Sequence, residues 1–142
     1  MLADEFQDTA ERLAQGTTVG DWRSAVSRAY YAVFHHFRDF FLSQGLDLGK
    51  DANAHPKLYR GLNNCGHAAL APVASMVDAL RRRRGLADYD PNAPVDQFMA
   101  QDAAQKSKAL VSAFQNLLTT LPPDQIADGV RNYFRFVGWL RP

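Results

Sequence analysis

The chain has 142 residues, 46% of them hydrophobic and 22% charged, and a formal net charge of +1. This is enough for one ordinary domain, residues 1–142, with a core of its own, and it excludes both a disordered chain and any global attraction to nucleic acid or membrane. Its single cysteine, Cys65, excludes an internal disulfide framework and a zinc site built from several thiolates, and points to a reducing cytoplasm.

The opening "MLADEFQDTAERLAQG" carries acids where a signal peptide would carry basic residues, and no stretch approaches the roughly 20 apolar residues that span a bilayer. Neither export nor membrane insertion is expected. Apolar spacing here predicts a first helix over about residues 3–15, with Leu2, Phe6, Ala10 and Leu13 on one side and Gly16 beyond its end. "TTVGD" reads as a loop, and Asp21 or its neighbours can cap a second, long helix that runs to about Gln44 before Gly45.

On a helical wheel Trp22, Val26, Ala29, Tyr30, Val33, Phe34, Phe37, Phe40 and Phe41 share one broad side of this second helix and read as core. The other side places Ser24, Arg28, Tyr31, His35 and Asp39 along one stripe, with neither Lys nor Glu anywhere in residues 22–44. Two readings stand. The stripe is either a half-buried polar seam satisfied from another helix, or a cleft where Arg28 holds a phosphate and His35 exchanges a proton near neutral pH.

Residues 45–54, "GLDLGKDANA", are polar and glycine-bearing, and read as a mobile connection or entrance loop. "HPKLYRGLNNCG" predicts a short helix with Pro56 in its first turn, and "ALAPVASMVDALRRRR" predicts another with Pro72 early. Basic residues in a last turn followed by Gly85 match a helix C-terminus with a left-handed glycine cap. If the helix instead continues through Gly85, Arg84 and Asp88 stand four apart and can pair, Arg81 joins that face, and the other arginines face solvent, open to RNA phosphates or an acidic partner. "DYDPNAP" is a loop, residues from about Val95 to Leu118 form a further helix, and "LPPD" breaks the chain. Within about residues 122–141 a docked amphipathic helix from Asp124 to Leu140 aligns Ile126, Val130, Phe134, Val137 and Leu140. Tyr133, Phe136 and Trp139 lie off that line, and a second apolar face of this kind suits a homodimer. Together these elements make an all-α antiparallel bundle, with a core over about residues 3–120 and an additional C-terminal helix.

Two stretches carry a family resemblance. "SRAYYA" at Ser27 to Ala32, followed downstream by Arg84, Ala87, Asp88 and Tyr89 as R-x-x-A-D-Y, resembles one branch of the HEPN domain family of prokaryotic helical-bundle proteins. The resemblance covers about residues 5–120 and implies a bundle of about four to five helices that commonly dimerises. Better-known members are metal-independent endoribonucleases, often toxin or defence proteins partnered by a small nucleotidyltransferase-like antitoxin, with an active site pairing an arginine and a histidine. Here Arg28 to His35 and Arg60 to His67 each have six intervening residues, while after Arg84 the sequence offers Asp88 and Tyr89 instead of a histidine.

On this resemblance the expected catalytic residues are Arg28, His35 and Arg84, with Arg28 and Arg84 on phosphate and His35 as the acid-base group. Tyr31, Arg81, Asp88 and Tyr89 complete the substrate-binding surface, and neither a metal nor a cofactor is implied. The expected function is an RNA- or nucleotide-interacting member of a two-component module. The alternative is a non-catalytic module in which the same polar residues are internal staples and the helical faces bind a second copy or a nucleotidyltransferase.

Overall fold

The structure, a computed structural model, describes residues 2–140. Among them are six α-helices, a short 3-10 turn and no strand, and the protein is an all-α helical bundle with an additional C-terminal helix. No described helix is long and apolar enough to cross a membrane.

Helix α1 (Leu2–Ala14) opens with Asp4 and Glu5 in its first turn and ends with Arg12 in its last, each placed to favour the helix dipole. Helix α2 (Val19–Ser43) starts slightly earlier than the composition of "TTVGD" suggested. Thr18 is the residue that caps it: its Oγ1 accepts the Asp21 N–H at 3.0 Å, while Asp21 Oδ2 accepts the N–H groups of Thr17 and Thr18 at 3.2 and 3.3 Å. Those bonds hold the Asp21 carboxyl below the usual carboxylate range, the side-chain bond with Thr18 being the largest cause.

The connection after α2 is anchored rather than loose. Leu46 and Leu48 are buried, and the Leu46 N–H donates to Phe41 O at 2.8 Å, so two leucines among polar neighbours suffice to pin the segment. Helix α3 (Ala54–Asn63) follows, then the 3-10 turn Ala68–Leu70, which feeds directly into α4 (Ala71–Tyr89).

Helix α4 runs through Gly85, which overturns the glycine-cap reading of "RRRRG". Its end is closed from α2 instead: the Arg23 guanidinium donates to the carbonyls of Ala87 at 3.0 Å and Asp90 at 2.8 Å, and also reaches Ala93. Helix α5 (Gln97–Leu117) is capped by Asp96, whose Oδ1 accepts the Met99 N–H at 2.8 Å. Helix α6 (Pro123–Phe136) is shorter than expected, because Gly138 turns left-handed (φ 81°) and the Trp139 N–H folds back to Phe134 O at 2.7 Å. Of its expected apolar line Ile126, Val130 and Phe134 are buried, whereas Val137 is exposed and Leu140 lies beyond the helix; residue 141, the expected outer limit, is outside the described residues.

The chain divides into two compact units. The first, Met1–His36 with Val77–Val111, is packed through small residues: Ala10, Val26, Ala29, Ala87, Ala103 and Ala104 form one buried cluster against which Val95 packs, and Ala14, Ala25 and Ala100 form another beside Leu13 and Trp22. Side chains this small let helix backbones approach closely, and Ala87 sits in this cluster only because α4 continues past Gly85. The second unit, Phe37–Met76 with Ser112–Pro142, has an aromatic centre, with Phe37 and Phe40 against Phe114 at ring separations of 4.6 and 5.0 Å. In this unit α6 closes tightly on α3: a Cβ at Gly61 would meet Val130 at 2.9 Å, and one at Gly129 would meet the Cys65 carbonyl oxygen at 2.0 Å. The wheel reading of α2 holds well, since seven of its nine core positions are buried and only Trp22 and Phe40 are half-buried.

Candidate functional site

The first unit brings the two signature segments into direct contact. Tyr31 and Ser27 stand one turn apart on α2, and Arg84 and Asp88 one turn apart on α4, so each helix offers a pair on one face. Arg84 Nη2 donates to the Tyr31 hydroxyl, and Arg84 Nε lies 3.3 Å from Asp88 Oδ2, an ion pair that lacks hydrogen-bond geometry. Ser27 Oγ donates to the same Asp88 oxygen at 3.1 Å. The guanidinium carbon also lies 5.1 Å from the Tyr31 ring centre and 5.5 Å from that of Tyr89, within cation–π range of both.

With only 18% of its side chain exposed, Arg84 is the centre of this cluster. Burial pulls its pKa down, but the hydrogen bond to Tyr31 and the fields of Tyr31, Tyr89 and Asp88 outweigh burial and raise it, so the guanidinium is a fixed charge. Nearby Tyr30 is buried, and burial raises its phenol pKa against the opposing field of Arg84, leaving it neutral. Tyr89, by contrast, is 75% exposed and presents its ring to solvent.

Arg28 and His35 meet through a residue the sequence did not single out. Phe6, on α1, carries the Arg28 guanidinium 5.1 Å from its ring centre and stacks with the His35 ring at 5.0 Å and 18°. The His35 ring is in turn 6.2 Å from that of Tyr31. Seven residues on one helix separate Arg28 from His35 by about 10 Å along the axis, so the two act on one phosphodiester only if the substrate spans the Phe6 ring between them. Arg28 is exposed and His35 half-buried, which leaves this platform open to a ligand.

The other three arginines of the "RRRR" run have carboxylate partners. Arg81 reaches Asp78 Oδ1 through Nε at 3.1 Å and Nη2 at 2.9 Å, and Arg82 Nε lies 3.4 Å from the other oxygen of the same carboxylate. Arg83 and Lys106 both contact Asp102 Oδ2 at 2.8 Å. Arg82 and Arg83, expected to face solvent, are 67% and 41% exposed, and each is also drawn onto a carboxylate, Asp78 and Asp102 respectively. Arg81, expected on the substrate surface, is engaged with Asp78. At the second arginine-histidine match the partners diverge, with His67 Nε2 lying 3.3 Å from the Gln125 carbonyl oxygen and Arg60 over the Tyr59 ring.

Ser27 was legible as the first letter of its motif, one turn before Tyr31. Phe6 carried no local signal, because its importance comes from the packing of α1 on α2. Among the described residues no group of three or more His, Cys, Asp or Glu side chains is disposed to hold a metal ion. No protein-family model, no curated protein and no solved structure matches this chain.

Proposed function

We propose that this chain is a cytoplasmic HEPN-type protein that binds RNA or a nucleotide, acting as the toxin-like half of a two-component module with a nucleotidyltransferase-like antitoxin. The observation that carries this reading is the Tyr31–Arg84–Asp88–Ser27 cluster: the two segments on which the resemblance rests interlock side chain to side chain. Arg84 then serves as a positioning residue, holding Tyr31 and Tyr89 in place. The ligand-facing groups are Arg28 for phosphate and the Phe6–His35 stack for a base or ribose. In the catalytic form His35 takes the proton of a ribose 2′-hydroxyl as it attacks the adjacent phosphorus, Arg28 stabilises the charge gathering on the phosphate oxygens, and the P–O5′ bond breaks to leave a 2′,3′-cyclic phosphate and a 5′-oxygen that takes its proton from water. A homodimer belongs to the same reading, and Phe136, 88% exposed on α6, is the side chain that supports it.

The pairing of all four arginines of "RRRR" with carboxylates favours a second reading, a non-catalytic module in which these contacts only brace the bundle. The test uses labelled single-stranded RNA with the purified protein in a metal chelator, alone and after removal of any partner. Arg28→Ala should weaken binding and lower the salt slope by about 1, and His35→Ala should abolish cleavage, each with an unchanged melting temperature. Binding without cleavage would leave a recognition module, and no binding at all would overturn the RNA reading.

A further inference from the structure

Within the first unit a row of rings extends past the platform around Arg28. The Tyr31 ring lies 6.1 Å from that of Phe6 and 6.2 Å from that of His35. It also lies 5.1 Å from the Arg84 guanidinium carbon, which in turn stands 5.5 Å from the Tyr89 ring. Added end to end, these steps keep Tyr89 within about 17 Å of the Phe6–His35 stack, the rise of about five stacked nucleotides at about 3.4 Å each.

Tyr89 is a presented ring. At 75% exposed it contributes little to the core, yet it is not loose, because the guanidinium against it is fixed by the Tyr31 hydroxyl and by Asp88, which Ser27 also bonds. Charge decides what the open side of the ring takes. Asp88 answers Arg84 one for one, and the donors of Arg23 are spent on the carbonyls that end α4, so neither guanidinium is left to hold a phosphate beside Tyr89. A base needs no such charge, since it binds through its π-face. Phosphate falls instead to Arg28, at the Phe6 end of the row.

The geometry points to Tyr89 as a second base-stacking position, so that the ligand is a single-stranded RNA with one base on the Phe6–His35 stack and another on Tyr89. This rests on the RNA reading of the platform proposed above, and it decides between the two ligand classes of that reading, a strand and a free nucleotide, in favour of the strand.

The test compares Tyr89→Leu, which removes the ring, with Tyr89→Phe, which keeps it. Because the ring is so exposed and Arg84 retains Tyr31 and Asp88, both variants should fold, and circular dichroism with a melting curve checks that they do. Fluorescence anisotropy measures affinity for 2′-fluoro oligouridylates of about one to eight nucleotides, which lack the attacking hydroxyl and stay intact. Wild-type affinity should rise with length and level off once about five or six nucleotides reach both rings. The longest strand should bind Tyr89→Leu about tenfold or more weakly and Tyr89→Phe within about twofold of wild type. On the wild type, a 2-aminopurine walked along that strand should change its fluorescence at two separated positions. An equal gain with length in Tyr89→Leu and wild type, an equal loss in both variants, or a fluorescence change at one position only would overturn the second stacking position and leave the platform reading standing. Failure of the wild type to bind a strand of any length would overturn both.

Discussion

Replacing Tyr31 by Phe removes one oxygen from the centre of the candidate site and leaves everything else in place. The ring stays, so the cation–π contact at 5.1 Å survives, while Arg84 Nη2 loses its acceptor. A hydrogen bond to a charged group contributes about 1.5–3 kcal/mol when its partner cannot turn to water. Arg84 is 18% exposed and its Nε already lacks a hydrogen-bond partner, so little solvent can substitute, although Asp88 at 3.3 Å still holds the charge. The expected loss is about 2 kcal/mol, which for a chain of this size lowers the melting temperature by about 6 °C. Urea titration should show the same loss with an unchanged slope. Because Asp88 grips the same guanidinium, Tyr31→Phe combined with Asp88→Asn should deviate from additivity by about 1 kcal/mol. A Tyr31→Phe variant within about 0.5 kcal/mol of wild type, or strict additivity in the cycle, would refute the view of Arg84 as an internal staple.

Further outcomes follow from other contacts. Asp102 has its pKa lowered, chiefly by the hydrogen bond from Lys106, with burial opposing and Arg83 adding to it. Its folded value thus lies below the unfolded one, so its contribution is present above about pH 4 and lost as pH falls through the lower folded value. Urea midpoints should show Asp102→Asn less stable by about 0.5 kcal/mol at neutral pH and level with wild type in strong acid, a small effect because its partners Arg83 and Lys106 are solvent-facing. Gly129→Ala should cost more than about 3 kcal/mol or prevent folding, since its Cβ would stand 2.0 Å from a backbone oxygen, whereas Gly85→Ala, with open space around it inside α4, should stabilise by about 0.5–1 kcal/mol in thermal melts. Arg23→Ala strips donors from the carbonyls of Ala87, Asp90 and Ala93 and should fray the end of α4, read as faster amide exchange over residues 86–93 and a loss of about 2 kcal/mol.

How much of this was legible in the sequence depends on how local each cause is. Helix order, the buried side of α2 and the breaks at Gly45 and "LPP" rest on periodicity and turn chemistry within a few residues, and they hold, whereas of the expected loop "DYDPNAP" Asp88 and Tyr89 belong to α4 and only the part from Asp90 onward is loop. The end of α4 does not, because what decides it is remote. Arg23, more than sixty residues earlier, satisfies the terminal carbonyls, and Ala87 is required in the small-residue cluster with Ala10 and Ala103. Once α4 passes Gly85, the i to i+4 spacing of Arg84 and Asp88 and the motif spacing of Ser27 and Tyr31 place those four correctly. Phe6 could not be found this way, since nothing in "ADEFQD" distinguishes a ring that supports Arg28 and His35 from one that fills a core.

The "RRRR" run also divides by burial rather than acting as one basic patch. Arg84 is matched by its own carboxylate, Asp88, and is nearly enclosed, so its charge is used up inside the protein. Arg81 and Arg82 share Asp78, and Arg83 shares Asp102 with Lys106, so the outer three members of the run are held by ion pairs nearer the surface. A polyanion reader would keep its arginines unpaired and interleave them with stacking rings. On this chain the interleaving of an arginine with stacked rings occurs at Arg28, Phe6 and His35, so the RNA reading proposed above rests on the aromatic stretch of α2 and not on the conspicuous arginine run, whose members are held in ion pairs within the chain.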